Sequence, residues 1–134
     1  MEKVICVLVL YNPNIDLLAK VVSAILPQVD LLWISDNSVE SLNLSSILET
    51  SSKIVYKKMS GNIGIAAAQN YGINYAVEYN YNYLFYLDQD SIVPENIISK
   101  LLFQYRFYSQ IPLLLVLLDH GLLIDVKIRN IRGV

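Results

Sequence analysis

Four short apolar runs recur along the chain: VICVLVL, LLWIS, KIVYK and YLFYL. They are rich in β-branched, leucine and aromatic residues, the pattern of strands buried on both faces. Helical spacing fills the segments between them. Asn12-Pro13 offers an N-cap and a first-turn proline, after which Ile15, Leu18, Val22 and Ile25 share one face until Pro27 ends the helix. A weaker helix spans about 42–50. The longest follows Gly61-Asn62 and covers about 63–79, where Tyr71, Tyr75 and Tyr79 recur at four-residue spacing as a packing stripe. A last helix starts at Pro94-Glu95 and reaches about Tyr108.

Strand and helix alternating through short connections predicts parallel strands joined by right-handed crossovers. The expected fold is α/β: an open, mostly parallel sheet with helices on both faces. Ligands of such sheets sit beyond the carboxyl ends of the strands, near the point where strand order reverses. The residues following each run are Tyr11-Asn12-Pro13, Asp36-Asn37-Ser38, Ser60-Gly61-Asn62 and Asp88-Gln89-Asp90. Every set is polar, and the fold brings several of them to one rim.

Composition narrows the class. At 134 residues the chain fits one domain, and 54% hydrophobic against 16% charged residues excludes a disordered chain. A net charge of −2 without a Lys/Arg block argues against a nucleic-acid surface. The single cysteine, Cys6, excludes an internal disulfide and reads as a small apolar residue of the first strand. The first apolar run has no basic leader and stops at Asn12-Pro13, and IPLLLVLL is too short to span a bilayer. A soluble, cytoplasmic chain is expected.

The chemistry available on the rim is that of oxygen ligands. Asp88 and Asp90 lie at i and i+2, so on extended backbone both would point the same way and could hold Mg²⁺ or Mn²⁺. Such an ion would relieve their repulsion and bridge a diphosphate. The competing reading makes them turn residues before the Pro94 helix. Asp36-Asn37 either meets a base or ribose or forms an Asx turn, two readings that stand level. Asn62 reads as a helix cap and Gly64 as a point of close packing or ligand approach. Asn70 has no assigned role from its spacing. His120 lacks a second ligand nearby, so a zinc site or histidine triad is poorly supported. No GxGxxG or GxxxxGK[ST] is present. LDQDSIV also fits the aspartyl-phosphate motif of haloacid-dehalogenase-like phosphatases, with Asp88 as nucleophile. Its position after three strands counts against that alternative.

Taken in order, VLVLYNPN, ILPQVDLLWISDNS, GNIGIAAAQNYGINYA and YLFYLDQDS resemble the nucleotide-binding half of family-2 glycosyltransferases of GT-A fold, and more narrowly bacterial rhamnosyltransferases of cell-surface polysaccharide. The resemblance covers about Lys3 to Tyr105. It implies that Tyr11, Asn12 and Pro13 lie against the nucleotide and that Asp36 and Asn37 meet its base or ribose. It further implies that Asn62, Gly64 and Asn70 shape the donor wall, that Asp88 faces the donor, and that Asp90, with Asp88, holds the metal. The implied donor is dTDP-L-rhamnose, the acceptor a lipid-linked saccharide, and the outcome inversion. Peripheral contact with the inner face of the cytoplasmic membrane follows from that acceptor.

Residues 1–110 are therefore expected to be a nucleotide-sugar-binding portion. Residues 111–134 read as a divergent apolar tail that does not continue the family pattern. An inverting transfer needs a general base, which the family takes from its second half. The expectation is an inverting glycosyltransferase by resemblance, in a truncated form that lacks its base, with a non-catalytic nucleotide-binding fragment as a further alternative; Asp119 and Asp125 have no context that supports either as the base.

Overall fold

The computed structural model describes residues 2–107 and, beyond them, the backbone of three short strand segments. The four apolar runs form β1 (Val4–Leu10), β2 (Leu31–Asp36), β3 (Ile54–Lys58) and β4 (Tyr83–Leu87). They join in parallel in the order β3-β2-β1-β4, with Leu8 opposite Leu87 and Asp36 opposite Lys58 at the carboxyl ends. Past them, β5 (Leu118–Asp119) pairs with β6 (Leu122–Leu123), and β7 (Ile128–Asn130) lies antiparallel on β4. The sheet is thus mostly parallel, as expected.

Alternation along each strand divides the interior into two cores. Val4, Cys6, Leu8 and Leu10 of β1 face one side. There they meet Leu18, Val21, Val22 and Ile25 of α1 (Ile15–Ile25), Ile47 of α2 (Ser45–Leu48) and Ile98 and Leu101 of α4 (Ile97–Phe107). Ile5 and Val7 face the other side with Trp33 and Leu84, covered by α3 (Ile65–Glu78) through Ala76. Each aliphatic side chain so enclosed contributes about 1.5–3 kcal/mol relative to exposure. Helices therefore cover both faces. Cys6 is fully buried, and burial pushes its thiol pKa well up, so it is an inert core residue.

The placement of the helices follows from crossover handedness. α1 and α2 carry the chain outward from β1 to β3 on one face, whereas α3 carries it back over the other face to β4, beside β1. Strand order reverses between β1 and β4. That pair marks the topological switch point.

Several helix starts differ from the sequence expectation. Asn14, not Asn12, caps α1: its Oδ1 accepts from Leu17 N at 3.0 Å, while Asn12 takes a left-handed conformation with φ 43°. The weak helix over 42–50 contracts to the single turn of α2. Asn62 does not cap α3; its Oδ1 accepts from Gly64 N at 3.0 Å in an Asx turn. Gly64 precedes α3 with φ 88° and nothing within 4 Å of where a Cβ would be, so it serves the backbone bend and not close packing.

Pro94-Glu95 lies outside α4, because Asn96 at φ 63° interrupts the backbone before Ile97. The new start is satisfied from outside the helix, Gln28 Oε1 accepting from Ile98 N at 3.2 Å. The expected helix end at Tyr108 lies outside the described residues. So does the tail at 111–134, with Asp125, His120 and the side chain of Asp119, apart from the strand backbone given above.

Candidate functional site

The ladder between β1 and β4 ends at Leu8 and Leu87, and a cleft of about 480 Å³ opens beyond it. Its apolar lining comes from Val9, Ile65 and Leu87. Tyr11, Asn37, Asn62 and Gln69 supply polar groups, and the segment Asp88-Gln89-Asp90 forms the β4 side. None of these lining residues is Lys, Arg or His. The cleft therefore presents two carboxylates and several amides, with no protein cation in its lining.

The end of β2 is a buried polar knot. Asp36 is inaccessible to solvent; its Oδ1 accepts from Ser38 N at 2.8 Å and its Oδ2 from Tyr56 OH at 2.6 Å. Lys58 Nζ stands 3.6 Å from Oδ2 and also donates to Ser38 O. Burial alone would raise the Asp36 pKa, but the Tyr56 and Ser38 hydrogen bonds and the Lys58 charge outweigh it and hold the carboxyl below its ordinary range. Burial and the same carboxylate push the Tyr56 phenol well up. Of the two readings of Asp36, the Asx turn is the one formed, and both carboxylate oxygens are spent inside the protein. Asn37, 2% exposed, keeps an edge on the cleft while its Nδ2 donates to Gly64 O at 3.1 Å. It thereby ties the approach to α3 onto the end of β2.

The loop after β1 is held on two sides. Asn12 N donates to Ser38 Oγ at 2.9 Å, which fastens it to β2. On the β4 side, Tyr11 N donates to Gln89 Oε1 at 2.9 Å and Gln89 Nε2 donates back to Tyr11 O at 3.0 Å. The acids flank this amide on a turn in which Ser91 N donates to Asp88 O at 3.3 Å. That turn corrects the expectation of an extended Asp88–Asp90 segment. Both residues nevertheless line the same cleft and are exposed.

The model of Glycosyl transferase family 2 matches residues 5–109, which takes in all four parallel strands and the helices between them. The chain belongs to this family. No curated protein matches it.

As a family-2 glycosyltransferase, the protein is implied to use a nucleotide-sugar donor and a saccharide acceptor, in a family that commonly employs divalent metals. The match does not favour the phosphatase alternative with Asp88 as nucleophile. Of the residues singled out in the sequence, Tyr11, Asn37, Asn62, Asp88 and Asp90 line the cleft. Asn12, Pro13, Asp36, Gly64 and Asn70 are not among its lining residues; Asn12 and Asp36 act within the network that shapes it, and Gly64 through its carbonyl. Sequence reasoning placed Gln89 on the rim without a role and passed over Gln69. Gln69 sits four residues after Ile65 on one face of α3, a spacing that would have revealed it had the orientation of that helix been known.

Proposed function

We propose that the cleft binds the nucleoside diphosphate of a sugar donor, with Asp90 and Asp88 holding Mg²⁺ or Mn²⁺ against its phosphates. The observation that carries this reading is a switch-point cleft whose lining holds two acids and no basic side chain. Carboxylates repel a diphosphate, and a divalent cation held by them would offset that repulsion. The donor set fits a hard ion that keeps water and phosphate oxygens as its remaining ligands. Among the described residues no cluster of three or more acidic, histidine or cysteine ligands forms a closed metal cage. When bound, such an ion supplies charge neutralisation to the departing nucleoside diphosphate.

The protein's own groups do the remaining work. Tyr11 and Asn37 approach the nucleoside from the β1 and β2 sides, and Asn62 and Gln69 border the opposite wall on the α3 side. Residues 1–110 form the donor-binding portion. The resemblance of DQDS together with NIGIAAAQN to rhamnosyltransferases supports dTDP-L-rhamnose as the donor and a lipid-linked saccharide of cell-surface polysaccharide as the acceptor, with inversion. Inversion requires a base to take the proton of the attacking hydroxyl on the face opposite the diphosphate. That acceptor chemistry also supports a cytoplasmic protein meeting the inner membrane face peripherally. No helix among the described residues is long and apolar enough to cross a membrane.

Thermal unfolding with dTDP, UDP and GDP, each with and without Mn²⁺, tests the reading. Metal-dependent stabilisation by a nucleoside diphosphate is the expected result, with dTDP the strongest for the rhamnose donor. Absence of stabilisation by all three would overturn donor binding.

A further inference from the structure

We propose that Gln89 is a positioning residue: its side-chain amide spans the β1–β4 switch point and sets the gape of the cleft. The inference rests on the donor-site reading above. In their parallel register the last pair of β1 and β4 is Leu8 with Leu87, ahead of the β1 loop at Tyr11 and the β4 turn at Gln89. Beyond that pair Gln89 joins the two with a side chain. Its carbonyl oxygen takes the Tyr11 N–H and its NH₂ returns a bond to the Tyr11 carbonyl, at 2.9 and 3.0 Å. A primary amide offers a donor and an acceptor on one planar group, which a paired peptide requires. The amide thus stands in for one more rung.

The consequence lies in what this rung connects. Tyr11 is followed by Asn12, whose N–H is held by Ser38 Oγ, and Ser38 N is held by the buried Asp36. A continuous chain of polar contacts runs from the β4 turn through the β1 loop to the β2 end. Gln89 forms its β4 terminus and sits between the two acids. Fixing Tyr11 relative to Asp88 and Asp90 fixes the separation of the nucleoside side of the cleft from its diphosphate side. A site held at that separation before binding does not spend affinity on ordering its loops.

Replacing Gln89 with Met keeps the length of the side chain and removes the amide; replacing it with Asn keeps the amide one methylene short of Tyr11. Affinity of each full-length variant for dTDP with Mn²⁺ is measured by calorimetry, alongside hydrogen exchange of the Tyr11 amide and thermal unfolding without nucleotide. Both variants should weaken Kd about tenfold and speed Tyr11 exchange, with an unchanged unfolding midpoint because the lost bonds are exposed. Wild-type affinity in the Met variant would overturn the proposal. So would retained affinity with fast Tyr11 exchange in the Asn variant, since the amide would then be acting on the nucleotide itself. If neither variant folds, the wild-type Tyr11 amide decides: exchange at the unprotected rate means the rung is not formed. Failure of the wild type to bind any nucleotide sinks the donor-site reading instead and leaves the exchange measurement to judge the rung.

Discussion

Asp36 shows how far the environment of one carboxylate departs from what its neighbours in sequence suggest. Beside Asn37 and Ser38 it reads as a ligand-facing acid or a turn residue. In the fold it is enclosed, and its partners Tyr56 and Lys58 come from β3, where Lys58 lies directly opposite it in register. Only the pairing of two strands reveals that contact, so no local pattern could have announced it. Because the folded carboxyl is held below its ordinary pKa, its contribution is complete above about pH 3.9, the unfolded value, and is lost as pH falls through the folded one. Asp36→Asn should therefore lower stability by about 2 kcal/mol at neutral pH, the scale of a buried hydrogen bond to a charged group. Below about pH 4 the variant should also respond less steeply to acid than the wild type. Denaturant titrations of both proteins from pH 7 to pH 2.5, a range chosen around that ordinary value, would check this. Parallel acid responses would show that the charge of Asp36 contributes nothing.

At the scale of elements, the strands and the buried face of α1 were legible, and the face of α3 was not. Long runs of Val, Ile, Leu and aromatics can only be buried, whereas α3 exposes much of its apolar signal. Its Tyr71 is 43% exposed and Tyr79, just past its end, 50%, while Ala68, Gly72 and Ala76 are buried. The expected tyrosine stripe is thus only partly a packing surface: Tyr75 meets Trp33 with ring centroids 5.1 Å apart, and small residues make the closest approach. Small side chains carry little hydrophobic signal, which is why the face was misjudged and Gln69 with it. A Cβ on Gly72 would lie 2.7 and 2.9 Å from the Val7 methyls and 3.0 Å from Trp33 Cδ1. Alanine would gain about 1 kcal/mol of helix propensity but would overpack the α3–sheet contact, typically costing about 1–3 kcal/mol. Gly72→Ala should consequently destabilise by about 1 kcal/mol, read as a lower denaturation midpoint; a stabilised variant would mean α3 can lift freely. Asn14→Ala tests the corrected start of α1 and should cost about 1 kcal/mol, whereas a cap at Asn12 would leave it silent.

On the scale of the molecule, the cleft belongs to no single element. Its walls come from the ends of β1, β2 and β4 and from the first turns of α3, all fixed by the same sheet. The rim of polar strand ends could be read from sequence because a parallel sheet must place them at one edge. The gape between them could not, because it depends on the amide of Gln89 and the buried knot at Asp36. A ligand that joins these walls stabilises the folded chain as a whole, by about 2.7 kcal/mol at a hundredfold excess over Kd. Asp90→Ala separates this linkage from ordinary packing. Asp90 is exposed, and its removal takes one of two neighbouring acids from the turn, so the protein without nucleotide should unfold at an unchanged or slightly higher temperature. With dTDP and Mn²⁺ the same variant should lose the metal-dependent part of the stabilisation. Loss of stability without nucleotide would recast Asp90 as a structural turn residue. Undiminished stabilisation with metal would move the ion away from the carboxylate that the cleft presents to it.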